Sequence, residues 1–144
     1  MIMPFAGSSV PAGWLLCDGS SVSKTTYSDL YSAIGDAWGS VSSTSFNIPD
    51  LRGRFLRGVD AGAGNDPDAS SRFAINTGAN VGDNVGSYQD DEIKSHSHGI
   101  TTGGSASNTS IRRNGNSSNS SETQAYGGNE TRPKNAYVNY IIKF

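Results

Sequence analysis

Residues 46–55 read Phe46-Asn47-Ile48-Pro49-Asp50-Leu51-Arg52-Gly53-Arg54-Phe55. Pro49 has no backbone N–H and a locked φ, so neither a helix interior nor a central strand ladder can run through it. The stretch reads as extended chain. Before it stands one clear helix. Tyr27, Leu30, Tyr31 and Ile34 follow the i, i+3, i+4, i+7 spacing of an amphipathic face. Thr26 is placed to cap it, with Asp29 three residues on at capping-box spacing, and Gly35 is a natural stop. Further back, Phe5, Val10, Trp14, Leu15 and Leu16 are apolar, with turn signals at Pro11-Ala12-Gly13 and Cys17-Asp18-Gly19. Residues 1–60 therefore read as one compact unit of strands and irregular chain with a single short helix.

Forward of residue 60 the pattern changes. Gly62, Gly64, Asn65, Pro67, Gly78, Asn80, Gly82 and Asn84 punctuate every potential element, which predicts an irregular excursion over 61–86. Residues 87–94 have room for one short helical turn. In 101–130, 21 of 30 residues are Ser, Thr, Asn or Gly. The last segment, Ala136-Tyr137-Val138-Asn139-Tyr140-Ile141-Ile142-Lys143-Phe144, is strongly strand-like. A strand ending in Phe144 is expected to be packed in a core.

Composition adds a difficulty. Leu, Ile, Val and Phe number 5, 9, 7 and 5, or 26 of 144 residues. That is below the roughly 20% at which chains tend towards disorder. Ser (23), Gly (18) and Asn (12) exceed a third of the chain. Ordering each backbone residue costs about 1–2 kcal/mol. Such a chain either stays largely disordered or gains buried area from partner chains. The net charge of −2 implies no polyanion-binding field, so nucleic acid is not an expected partner. No run of 18 apolar residues exists to enter a membrane, and no signal-peptide pattern is visible. The single cysteine, Cys17, excludes an intrachain disulfide, and its apolar neighbours predict a small buried hydrophobe.

Two groups of residues carry candidate chemistry. His96-Ser97-His98 holds both histidines. In extended chain, residues i and i+2 share a face, roughly 6.5–7 Å apart. Two imidazoles alone are too few for a stable metal site. A three-fold axis would supply six, an octahedral set that suits iron(II) better than tetrahedral zinc. The alternative is two exposed loop histidines. The second group is aromatic. Trp14, Trp38, Tyr88 and Tyr126 lie near Gly- or Ser-rich turns, and exposed aromatics beside Asn, Asp and Arg suit carbohydrate recognition. Trp14 and Trp38 read better as core. Tyr126, with Arg112, Arg113, Asn114 and Asn116, has the stronger claim to a receptor-binding surface, against a plain solvated loop. No nucleophile elbow, P-loop or HExxH is present, so no catalytic residue is assigned. Asp90, Asp91 and Glu92 read as a solvated face, and Asp50 with Arg52 and Arg54 as local or interchain ion pairs.

Taken together, several stretches closely resemble the phage tail collar domain. They are Phe5-Ala6-Gly7, Val10 to Gly19, Tyr27 to Gly35 and Phe46 to Gly58. The later pieces, Gln89-Asp90 through Ile93-Lys94-Ser95-His96-Ser97-His98 and Asn129 to Asn135, resemble the distal tips of short, long and side tail fibres. The resemblance implies a mostly β and irregular, intertwined homotrimer. Its parts would be a collar over 1–60, a tip or head over 61–135, and a strand over 136–144 that returns to the collar. His96 and His98 would bind one metal ion per trimer on the three-fold axis, iron(II) in preference to zinc or nickel. A single His-x-His pair, where long fibres carry a series, implies one metal and a short head built from 101–130. The function implied is adhesion of a virion tail fibre tip to a host glycan or outer-membrane protein, with a fibre assembly chaperone as a further partner. One alternative is a bacterial adhesin or appendage tip built from the same module. Another, from a different class, is a metal-dependent depolymerase, which would need an open metal position or close carboxylates.

Overall fold

The structure is a computed structural model that describes residues 1–96 and 131–144. The chain forms two units. The first is Met1–Asp90 with Lys134–Phe144, and the second is Asp91–Pro133. Within the second, the described residues 91–96 and 131–133 are without helix or strand.

The first unit is built around the last strand of the chain. Strands β1 (Ile2–Phe5), β2 (Trp14–Leu16) and β5 (Asn139–Lys143) form an antiparallel sheet with β5 in the centre. Ile2 faces Ile142 and Phe5 faces Asn139 on one side, and Leu15 faces Ile142 on the other. Ile141 and Ile142 are both buried. Consecutive strand residues point to opposite faces, so both faces of the sheet are covered there. Pro4 is tolerated in β1 because β1 is an edge strand, with β5 as its one neighbour. A second, two-stranded ladder joins β3 (Ser21–Ser23) to β4 (Ser45–Asn47), Val22 facing Phe46.

The helix α1 spans Ser28–Ile34. Tyr27, Tyr31 and Ile34 pack with buried Leu30 against the core, as the spacing predicts. The start differs from expectation. Tyr27 is the N-cap, and no side chain caps the helix. Ser23 governs the entry: its Oγ accepts the N–H groups of Thr25 and Thr26, and its carbonyl accepts that of Tyr27. The Thr26/Asp29 box does not form because Ser23, at the end of β3, already holds the turn. Gly35 stops the helix at φ +55° while its N–H reaches the Tyr31 carbonyl.

The stretch 46–51 supplies the centre of the core. Phe46, Ile48 and Leu51 are buried with Cys17, Leu30 and Ile142. Each such side chain contributes about 1.5–3 kcal/mol through burial. Pro49 sits here without breaking a ladder, because the neighbouring N–H groups find partners elsewhere. Ile48 N–H donates to the Ser20 carbonyl and Leu51 N–H to that of Cys17. Burial pushes the Cys17 thiol up to about 11, with the charges of Asp18 and Asp50 adding to it.

Residues 61–88 carry one 3-10 turn, Ala69–Ser71, and remain within the first unit. They are tied back to Trp38. Asn76 Nδ2 donates to the Trp38 carbonyl at 3.0 Å, and Asn80 N–H to that of Ala37 at 3.0 Å. Gly86, at φ +95°, lies so close to the Ala37 carbonyl that a Cβ could not fit. The helical turn expected over 87–94 is absent from its described residues. Tyr88 exchanges both backbone hydrogen bonds with Phe73, at 2.8 and 2.9 Å, which fixes it as extended chain.

Candidate functional site

The residues singled out from sequence fall mostly beyond what the structure describes. His98, Arg112, Arg113, Asn114, Asn116 and Tyr126 lie outside the described residues. His96 is exposed, with its Nδ1 3.1 Å from the Lys94 carbonyl. Among the described residues, no three His, Cys, Asp or Glu side chains are grouped to hold a metal.

Tyr88, one of the aromatics near Gly- or Ser-rich turns, is buried. Its hydroxyl lies against the Asp50 backbone, donating to the carbonyl at 3.1 Å and accepting from the N–H at 3.3 Å. The Arg54 guanidinium stacks over its ring, 4.8 Å from the centroid, and Trp38 meets it edge-on at 5.8 Å. Burial raises the Tyr88 hydroxyl above its usual pKa. Arg54 continues to the Gln89 carbonyl and to Asp90. Next to it, Arg52 grips Asp50 with two parallel bonds of 2.8 and 2.7 Å. The Arg52 hydrogen bond is the main reason the Asp50 carboxyl lies below its usual pKa. The chain is therefore held firmly through residue 54.

It is held again at residue 60. The Asp60 carboxylate accepts the backbone N–H groups of Gly64, Asn65 and Asp66 at 2.8, 2.7 and 2.9 Å. These bonds, that from Gly64 first, keep its pKa below the usual value. Asp60 N–H in turn donates to Asp83. Asp66, only 7% exposed at its side chain, lies between Arg57 at 3.4 Å and Arg72 at 3.6 Å. Arg72 also reaches Ser87 and Gln89. The carboxylates gathered here bind backbone and arginine.

Between these anchors runs a largely apolar stretch without helix or strand that sequence reasoning passed over. Phe55 (65%), Leu56 (52%) and Val59 (45%) are exposed. Their backbones make no hydrogen bond to the described residues. Tyr137 (95%) and Val138 (45%) are exposed in the same manner just before β5. The two stretches leave the core close together: Leu51 N–H donates to the Cys17 carbonyl, and Cys17 N–H to that of Tyr140. The signal was present as Phe55-Leu56, adjacent apolar residues in extended chain, which cannot both face one core.

Comparison with known proteins then adds a family. Residues 1–56 match the phage tail collar domain. Protein RhiB of Rhizobium leguminosarum bv. viciae is 46% identical over 92% of this chain, and the chain spans 64% of that protein. The putative uncharacterised protein StfE of Escherichia coli K12 is 25% identical over 98% of the chain and 84% of its own length. A probable tail fibre protein of Haemophilus phage HP1 is 32% identical over 68% of the chain, which spans 8% of that protein.

Proposed function

From the match of residues 1–56 to the phage tail collar domain, we propose that this chain is the receptor-binding tip of a phage or prophage tail fibre, assembled as a homotrimer. The observation that carries the reading is the collar match joined to the exposed apolar stretch. A structural module has closed a small core, yet it leaves Phe55, Leu56 and Tyr137 in water. Large apolar surface on a small unit marks a contact with another chain. A trimer multiplies weak contacts to a host glycan or outer-membrane protein by avidity.

In the same reading, His96 and His98 of three copies would surround one axial ion. Six neutral imidazoles suit iron(II) better than zinc, with nickel also fitting the octahedral count. Such an ion would clamp the three chains together and do no chemistry on a substrate, which fits a module that adheres and does not catalyse. Sedimentation and metal analysis of wild-type protein test this together. A trimer with one ion is expected. The double variant His96→Ala, His98→Ala should lose the ion and melt lower, and well-folded wild-type protein free of metal would end the axial-ion reading. A glycan array with the trimer then tests the receptor class.

RhiB favours a second reading, since that relative comes from a bacterium. There the same module would serve as an adhesin or appendage tip of a cell. Neighbouring genes for tail assembly and a fibre chaperone would select the phage or prophage; their absence would select the cell.

A further inference from the structure

Residues 72–89 lie against the core, yet little of their apolar surface enters it. Phe73, Ile75, Val81 and Val85 are exposed, and of the large apolar side chains in this segment Tyr88 alone is buried. Polar bonds hold the segment down at two places. At the first, Ser40 N–H donates to the Thr77 carbonyl at 3.1 Å, Asn80 N–H to that of Ala37 at 3.0 Å, and Asn76 Nδ2 to that of Trp38 at 3.0 Å. The seating is close from both sides. A Cβ on Gly39 would lie 2.7 Å from that of Asn76, and one on Gly86 would strike the Ala37 carbonyl. At the second place stand Tyr88 and Gln89.

The chemistry at that second place is unusual. Asp18 and Asp50 face each other in a single antiparallel bridge, closed by Gly19 N–H to the Pro49 carbonyl and Leu51 N–H to that of Cys17. In such a bridge the N–H and carbonyl of Asp50 itself point away from Asp18, to where a next strand would lie. The Tyr88 hydroxyl takes both, at 3.3 and 3.1 Å, so one phenol oxygen stands in for a neighbouring strand. Arg54 lies over the same ring and donates to the Gln89 carbonyl, 35 residues on. Trp38, from the first place, meets the ring edge-on and joins the two. Segments with few buried apolar contacts open as contiguous units, below the free energy of global unfolding. We propose that residues 72–89 are a strap that lifts from the core as one unit, with Tyr88 as its latch. The outward main-chain groups of Asp50 and the Arg54 guanidinium are then fixed only while the strap is down. The latch and all its partners lie within the first unit.

Native-state hydrogen exchange on the full-length protein tests it, each variant being read at the end it does not touch. In the wild type, the amides of Ser40, Asn80 and Asp50 should share one opening. Their protection should be at least about 10-fold below that of the Cys17 amide, which donates to Tyr140 in the core. Tyr88→Phe should speed exchange at Ser40 and Asn80 by about 5- to 100-fold, because it leaves the Asp50 groups unpaired beneath the lowered strap. Asn76→Ala, at the other end, should speed exchange at Asp50 by at least about 3-fold. Cys17 should be unchanged in both. Wild-type amides of Ser40, Asn80 and Asp50 as well protected as Cys17 would mean that no strap opens separately. A variant whose effect stays at its own end, or spreads equally to Cys17, would also overturn the inference.

Discussion

The first unit contains two regions stabilised by opposite means. In the core around β5, the side chains of Phe46, Ile48, Leu51 and Ile142 are withdrawn from water, and the backbone is paired in ladders and by single bonds such as Ile48 N–H to the Ser20 carbonyl. Around Asp60 and Asp66, the side chains are short or charged, and order comes from carboxylates bonded to backbone N–H groups and arginines. The first kind of order is non-directional and strong per residue; the second is directional and modest, because each bond replaces one to water. A chain with 26 large aliphatic or Phe residues can afford the first kind only once, and it uses it on the sheet and helix. The Gly- and Asp-rich remainder is folded by the second kind and still leaves apolar residues outside.

The contrast makes graded predictions. Phe46→Ala should have the largest effect, about 3–5 kcal/mol, because the ring is wholly buried and its removal leaves a cavity in the core. Urea unfolding with an unchanged slope checks it, and a loss under 1 kcal/mol would mean the core does not depend on this ring. Asp66→Ala should lose less, about 1–3 kcal/mol, by stripping Arg57 and Arg72 of their shared partner. The loss should be concentrated in residues 57–72 by hydrogen exchange, with β5 amides spared. The smallest effect is that of acid on Asp60. Its pKa is lowered in the folded chain, so its contribution is complete above the free carboxyl value of about 3.9 and fades as pH falls through the lower folded value. The amides of Gly64, Asn65 and Asp66 should lose protection in that window while the core keeps its own. Equal loss in both regions would show that they melt as one.

Much of the core region could be read beforehand. The face Tyr27, Leu30, Tyr31 and Ile34 and the run 46–51 carry periodicity and Pro49, which are local signals. The Thr26/Asp29 capping box failed because Ser23, four residues before the helical face, was better placed to hold the turn. The place of Tyr88 was not legible for a longer-range reason. Its neighbours in sequence are Ser87 and Gln89, but its neighbours in space are Asp50, Arg54 and Trp38, about forty residues away. Of the candidate site, His96 could be named from its spacing to His98, Phe55 and Leu56 carried a signal in their adjacency, and Tyr137 could not be told from a core residue.

What was written in the residues alone is the local geometry: one helix, an extended run around Pro49, a closing strand over 139–143, and an apolar supply too small for all 144 residues. Which apolar side chains went inside was decided by packing. Ile142 was buried by strands more than a hundred residues away in sequence, whereas Phe55, between the tied residues Arg54 and Asp60, was left exposed. Periodicity and turn chemistry act over a few residues, whereas burial depends on which distant segments arrive at the same place, and that is known only once the chain has folded.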